Sequence, residues 1–264
     1  GFYHPACYKK KLNLVCSHCG EPLHETWMEH DGKKYHRDCS PMRCAICNGP
    51  ILDEYMEDEK GSYHRHCFLD KKAPRCCICD LPITGKYVVD EWDNKAHRQH
   101  ENDKTKFCEY CGRIISYGGS NGGYHYADGR IVCGICKFTD VESDKHVEDS
   151  LNRVLNLLAE PPAAFDGFPP HIPVQLVDRD TLKKIGGPIV PDTGEGLTRS
   201  ETTHKNNKLI EQKFIVYVLH GMPKLEFEAV LAHELIHVWL IRHNIEMSHK
   251  ETEGFCDLAA AIVY

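Results

Sequence analysis

No uninterrupted apolar stretch in this sequence approaches the roughly 18 residues needed to cross a membrane, so no membrane partner is expected. A basic excess is missing too. The formal net charge is -7 and the pI about 6.2, whereas proteins that neutralise nucleic-acid phosphates carry basic surfaces; nucleic acid is therefore not an expected partner. The opening residues hold no secretory-type apolar segment, from which we expect a cytoplasmic protein. Cysteine itself almost disappears after Cys136, with only Cys256 beyond it. That shift divides the chain into a region of about 1–138 and a second of about 139–264.

What is present in excess is metal-ligating chemistry: 15 Cys and 18 His. In a reducing compartment, cysteine at this density points to metal sites rather than disulfides. The spacing repeats. Cys16-x2-Cys19 is followed after 16 residues by His36-x2-Cys39, and Cys44-x2-Cys47 after 16 by His64-x2-Cys67. Cys76-x2-Cys79 is followed after 17 by His97-x2-His100, and Cys108-x2-Cys111 after 21 by Cys133-x2-Cys136. Two close pairs returned by a hairpin supply the four ligands of a tetrahedral structural zinc site, so about four structural Zn2+ ions are expected. Redox CxxC pairs do not come with a matched second pair at fixed distance. Cys77 competes with Cys76, but only Cys76 keeps the two-residue spacing to Cys79.

Linker lengths pair the units. Four residues separate Cys39 from Cys44, against eight between Cys67 and Cys76. Residues 16–67 resemble a LIM domain, with "YHRDCS" and "YHRHCF" as its His-x2-Cys turns, and residues 76–138 resemble a second, divergent one. "FYHPACY" resembles the same turn, so residues 1–15, with His4 and Cys7, read as the remnant of a preceding zinc module and its linker. A connecting helix at about 140–160 is predicted from Val147, Leu151, Val154, Leu155 and Leu158 on one face, ended by Pro161-Pro162.

The second region holds His233-Glu234-Leu235-Ile236-His237 within a helical apolar pattern from about Leu225 to His243. One turn apart, His233 and His237 share a face and can reach one ion. Glu234 sits where a carboxylate can take a proton from a metal-bound water. A catalytic zinc needs a third protein ligand, and His243, His249, Glu251, Glu253 and Asp257 are the candidates. The HExxHxxGxxH route is disfavoured because Leu240 replaces its glycine. "SHKETEGFCDLAAAIVY" predicts a further helix with Ser248 as N-cap and Glu251 in a capping box. Glu251 is thereby occupied, and Glu253, followed four residues on by Asp257, resembles the gluzincin arrangement, in which the Glu is the third ligand and the Asp orients a ligand imidazole; Glu253 is favoured over His243 and His249. Gly254 is expected to permit close packing against the first helix. Upstream, a strand from about Lys213 to Leu219 is predicted, with Tyr217 and His220 as candidates for polarising a carbonyl; Gly186 to His204 reads as a turn-rich loop.

The chain resembles the plant ubiquitin-activated LIM-domain metallopeptidases that restrict organ growth. The resemblance is carried by "PRCCICDLPI", "YHRHCF", "VCGICK", "IPVQLVDRDTL", "GLTRSE", "VLHGMPKL", "VLAHELIHVWL" and "ETEGFCDLAA". It implies His233 and His237 as zinc ligands, Glu234 as catalytic base and Glu253 as the glutamate of the second helix, with protein substrates and ubiquitin or ubiquitylated proteins as partners. The expected fold is α+β: tandem LIM-type zinc modules followed by a zincin-like peptidase domain, residues 139–264, with one catalytic Zn2+. The alternative is a LIM interaction scaffold whose peptidase-like domain is inactive.

Overall fold

The computed structural model describes residues 4–11, 14–23, 26–100, 103–160, 165–205 and 208–264. The chain is mixed α+β, built of small β-hairpins and Cys/His clusters together with one three-stranded sheet and its helices. It divides into two compact units: Gly1–Val88 with Lys95–Arg98, and Val89–Asn94 with Gln99–Tyr264. The Cys108–Cys136 group thus belongs to the same compact unit as everything after it. Among the described residues no helix is long and apolar enough to cross a membrane.

The first unit opens with helix α1 (Pro5–Lys11) and continues through hairpins β1 (Met28–His30)/β2 (Lys33–Tyr35) and β3 (Tyr55–Asp58)/β4 (Gly61–His64). Helix α2 (Arg65–Lys71), strand β5 (Tyr87–Val89), all but Val89 of it in this unit, and strand β6 (Lys95–His97) follow. Asp31-Gly32, both at positive φ, form the two-residue turn whose twist matches that of the flanking strands. Each CxxC pair closes on one recurring turn. The residue after the second cysteine takes left-handed φ, at Gly20, Asn48 and Asp80, residue types that tolerate it. Its N–H donates to the carbonyl of the first cysteine, and that first cysteine is buried in each case.

In the second unit Gly112 repeats this turn on Cys108. Around it run β7 (Gln99–His100), β8 (Asp103–Lys104), α3 (Tyr117–Ser120), β9 (Gly123–His125), β10 (Ile131–Cys133), α4 (Gly134–Lys137) and β11 (Asp140–Val141). Helix α5 (Asp144–Ala159) is capped by Ser143 and buries Val147, Val154 and Leu158 on the stripe the periodicity predicts; Pro161 and Pro162 lie outside the described residues. Next come β12 (Val174–Val177), α6 (Arg179–Gly186), β13 (Gly196–Lys205), β14 (Lys208–Leu219), β15 (Met222–Pro223), α7 (Lys224–Arg242) and α8 (His249–Ala260).

Strand β14 is central in its sheet. It pairs in parallel with β12, Val174 opposite Val216, and antiparallel with β13, Gly196 opposite Val218. The expected loop at Gly186 to His204 is therefore only partly one, because Gly196 onward is edge strand, and β14 begins at Lys208 rather than about Lys213. Val216, Val218, Leu231, Leu235 and Val238 join one buried core of sheet and helix side chains. Burying such side chains contributes roughly 1.5–3 kcal/mol each. This core fixes α7 against the sheet.

Candidate metal centre

Each Cys/His group is spaced to hold an ion. Cys16, Cys19, His36 and Cys39 have ligand atoms mutually within 4.8 Å, as do Cys44, Cys47, His64 and Cys67, and Cys108, Cys111, Cys133 and Cys136. Cys76, Cys79 and His97 are likewise close; His100, the fourth residue of that expected set, stands on β7 in the second unit. The Cys19 Sγ to His36 Nδ1 and Cys47 Sγ to His64 Nδ1 separations are both 3.3 Å. Burial would raise the thiols of Cys16, Cys44 and Cys76, but backbone N–H groups aimed at the sulfurs outweigh it and bring each down to about 6. That favours the thiolate, the metal-binding form.

The fifth cluster stands on α7 and α8. Alanine and leucine keep α7 regular through its interior, so His233 and His237 project from consecutive turns, their Nε2 atoms 3.2 Å apart. Helix α8 begins with the predicted capping box: Ser248 Oγ accepts from Glu251 N–H, while the Glu251 carboxylate accepts from Ser248 N–H. The box sets the phase of α8. As a result Glu253 reaches both imidazoles, Oε2 lying 3.4 Å from His233 Nε2 and Oε1 3.6 Å from His237 Nε2. Ligands 2.0–2.1 Å from one tetrahedral ion stand about 3.3 Å apart, so this spacing suits a shared metal. Asp257 Oδ1 is 3.1 Å from His233 Nδ1, where it can fix the tautomer that frees Nε2 for the ion. Burial, then the neighbouring His233, holds the His237 ring below its usual range and so neutral.

The centre opens into a cavity of about 850 Å³ lined by both helices and by the segment from Val190 to Thr198. Glu234 is buried against that wall, its Oε2 accepting from Thr198 Oγ1 at 2.7 Å. Burial raises its carboxyl to about 7, with the Thr198 bond opposing and the Glu253 charge reinforcing. Gly196 lets β13 approach: a Cβ there would stand 2.6 Å from Glu234 Oε1.

Three residues beside this centre escape sequence reasoning. Thr198 and Gly196 belong to a stretch read as loop, and only the pairing of β13 with β14 brings them to Glu234. Cys256, unassigned by spacing, lies with His233 and His237 in a ligand-competent group; it is fully buried, and burial with the nearby Glu253 charge pushes its thiol up to about 12. Other expectations fall away. Tyr217 packs against the core, and His220 lines a different cavity with Asp178 and Glu142, so neither lines the α7 cleft. His243 caps the end of α7, its Nδ1 on Trp239 O. His249 is exposed at the start of α8, 3.5 Å from Glu253. A Cβ on Gly254 would meet nothing within 4 Å, so packing against α7 does not require that glycine.

Residues 176–262, which hold strands β13 and β14 and helices α7 and α8, match the family model described as DA1-like, Protein DA1. Protein DA1-related 2 of Arabidopsis thaliana is 26% identical over 196 residues, covering 63% of this chain. The match spans 36% of that relative's length. Over this C-terminal segment the chain is similar to the DA1 family.

Proposed function

We propose that the α7–α8 cleft is the active site of a zinc endopeptidase, in which His233, His237 and Glu253 hold the metal and Glu234 is the catalytic base. The observation that carries this is the convergence of two imidazole Nε2 atoms and one carboxylate at 3.2 to 3.6 Å beside a second, buried carboxyl group. Two nitrogens and an oxygen are a zinc donor set, and three protein ligands leave a position open for catalysis. Zinc bound there would supply Lewis-acid activation of water and of the scissile carbonyl.

The chain's own groups do the rest. Glu234 takes the proton of the attacking water and returns it to the leaving amine, a role suited to a carboxyl poised near neutrality. Thr198 holds that carboxylate in place through its hydroxyl, and Asp257 orients His233. The wall from Gly196 to Thr198 belongs to an edge strand with no partner on its outer side among the described residues. An extended polypeptide fits beside such an edge, its backbone supplying the missing ladder, so the substrate is protein. The Cys/His groups of the first unit act as LIM-type zinc modules that recruit partners.

Glu234→Gln tests the reading. It should retain the metal while cleavage of a denatured protein substrate falls by about 10²–10⁴. Undiminished proteolysis with metal still bound overturns the assignment.

A further inference from the structure

Arg130 is fully buried, yet its guanidinium is always charged. Sealing a charge from water costs several kcal/mol unless it is paired and hydrogen-bonded. One partner is Asp128, its side chain 1% exposed, which accepts from Arg130 Nε at 2.9 Å. Arg130 Nη1 donates to Tyr110 Oη at 2.8 Å and to the backbone carbonyl of His220 at 2.9 Å. His220 is in the turn between β14 and α7, whereas Asp128 and Arg130 lie in the loop between β9 and β10, the hairpin that delivers Cys133.

Further contacts from the fourth cysteine group converge on the same turn. Tyr126 packs its ring edge-on to His220 at 5.2 Å. Gly221 has φ +71, and a Cβ there would stand 2.2 Å from Tyr126 Oη. Three residues past Cys136, the carbonyl of Thr139 accepts from the N–H of Lys224, the first residue of α7. Asp128 Oδ2 also accepts from the N–H of Arg179, which starts α6. The group therefore braces the origin of the ligand-bearing helix and the element leading to the cleft rim. A cysteine cluster this small depends on its metal for its fold.

We propose that Arg130 is a positioning residue for the α7 centre, tying the metal-dependent fold of the Cys108–Cys136 group to the turn from which α7 starts. The fourth metal is then a structural requirement of the centre. This rests on reading His233, His237 and Glu253 as a metal site. The test is a cobalt(II) titration of the full chain after mild chelation, read by d–d absorption, with zinc retained in the cysteine groups counted by atomic emission. In the unmutated chain a band should form that His233→Ala abolishes. Arg130→Met and Tyr126→Leu should keep their cysteine-group zinc while the cobalt midpoint rises about tenfold or more, and Arg130→Lys should recover part of the loss. Unshifted midpoints in both variants, with that zinc retained, overturn the proposal. If Arg130→Met does not fold by far-UV circular dichroism, Tyr126→Leu decides alone with the same two outcomes. A chain with no His233-dependent band refutes the reading of the α7 site itself, a separate result.

Discussion

Gly196→Ala is a single methyl group placed where strand and helix touch. The new Cβ would lie 2.6 Å from Glu234 Oε1 and 2.8 Å from both Glu234 Cγ and Val230 Cγ1. Ordinary carbon contacts begin at about 3.5 Å, so roughly 0.7 Å of space is missing. Overpacking of this kind costs about 1–3 kcal/mol. It can be relieved in two ways. If the carboxylate swings off Thr198, the fold survives and the proposed base is misplaced; because about 1.4 kcal/mol is a factor of ten in rate, the proposed cleavage should fall by about 10- to 100-fold. If β13 instead backs away, the melting temperature should also drop, by about 3 °C for each kcal/mol. Peptidase rate, thermal unfolding and metal content measured together separate the routes. An alanine variant with unchanged rate and unchanged melting temperature would refute the argument that β13 must approach Glu234 this closely.

Other outcomes follow from the same geometry. Glu253→Ala should lower the metal affinity of the α7 centre by at least about tenfold, as loss of even an outer partner does, whereas Cys256→Ala should not; equilibrium dialysis reverses the ligand assignment if Cys256 proves the costlier loss. Gly254→Ala in the exposed helix interior, with nothing near its Cβ, should stabilise the chain by up to about 1 kcal/mol, and a lower melting temperature would show that the glycine serves a contact after all. Asp128→Ala leaves Arg130 buried and unpaired, which should cost about 3–5 kcal/mol. Adding Arg130→Met to it should restore part of that stability in denaturant titrations, and failure to restore any would mean the pair is not coupled.

What the sequence makes legible is what local spacing dictates. His233 and His237 share a helix face because four residues make about one turn, and Ser248 with Glu251 announces the start of α8 by side-chain chemistry alone. The cysteine turns are readable down to the Gly, Asn or Asp after each second cysteine, since few other residues accept that backbone angle. Long-range pairing is not legible. "GLTRSETTHK" ends a turn-rich stretch and, Leu197 apart, carries no apolar alternation to announce a strand, because most of β13 is exposed. Only its register with β14 places Thr198 on Glu234, 36 residues away in sequence. Arg130 is likewise silent in the sequence, since nothing local distinguishes a buried, paired arginine from a solvated one. Gly254 misleads for the opposite reason: a helix glycine usually marks a close approach, and here it faces open space.

The proposed catalysis requires one metal ion held between α7 and α8 by His233, His237 and Glu253. An anomalous-difference map recorded across the zinc absorption edge addresses it without recourse to activity. A peak is expected about 2.0–2.2 Å from the two Nε2 atoms and the Glu253 carboxylate, with Cys256 outside the coordination sphere. A map with peaks at the cysteine groups and none between these helices, or with Cys256 in place of Glu253, would contradict it.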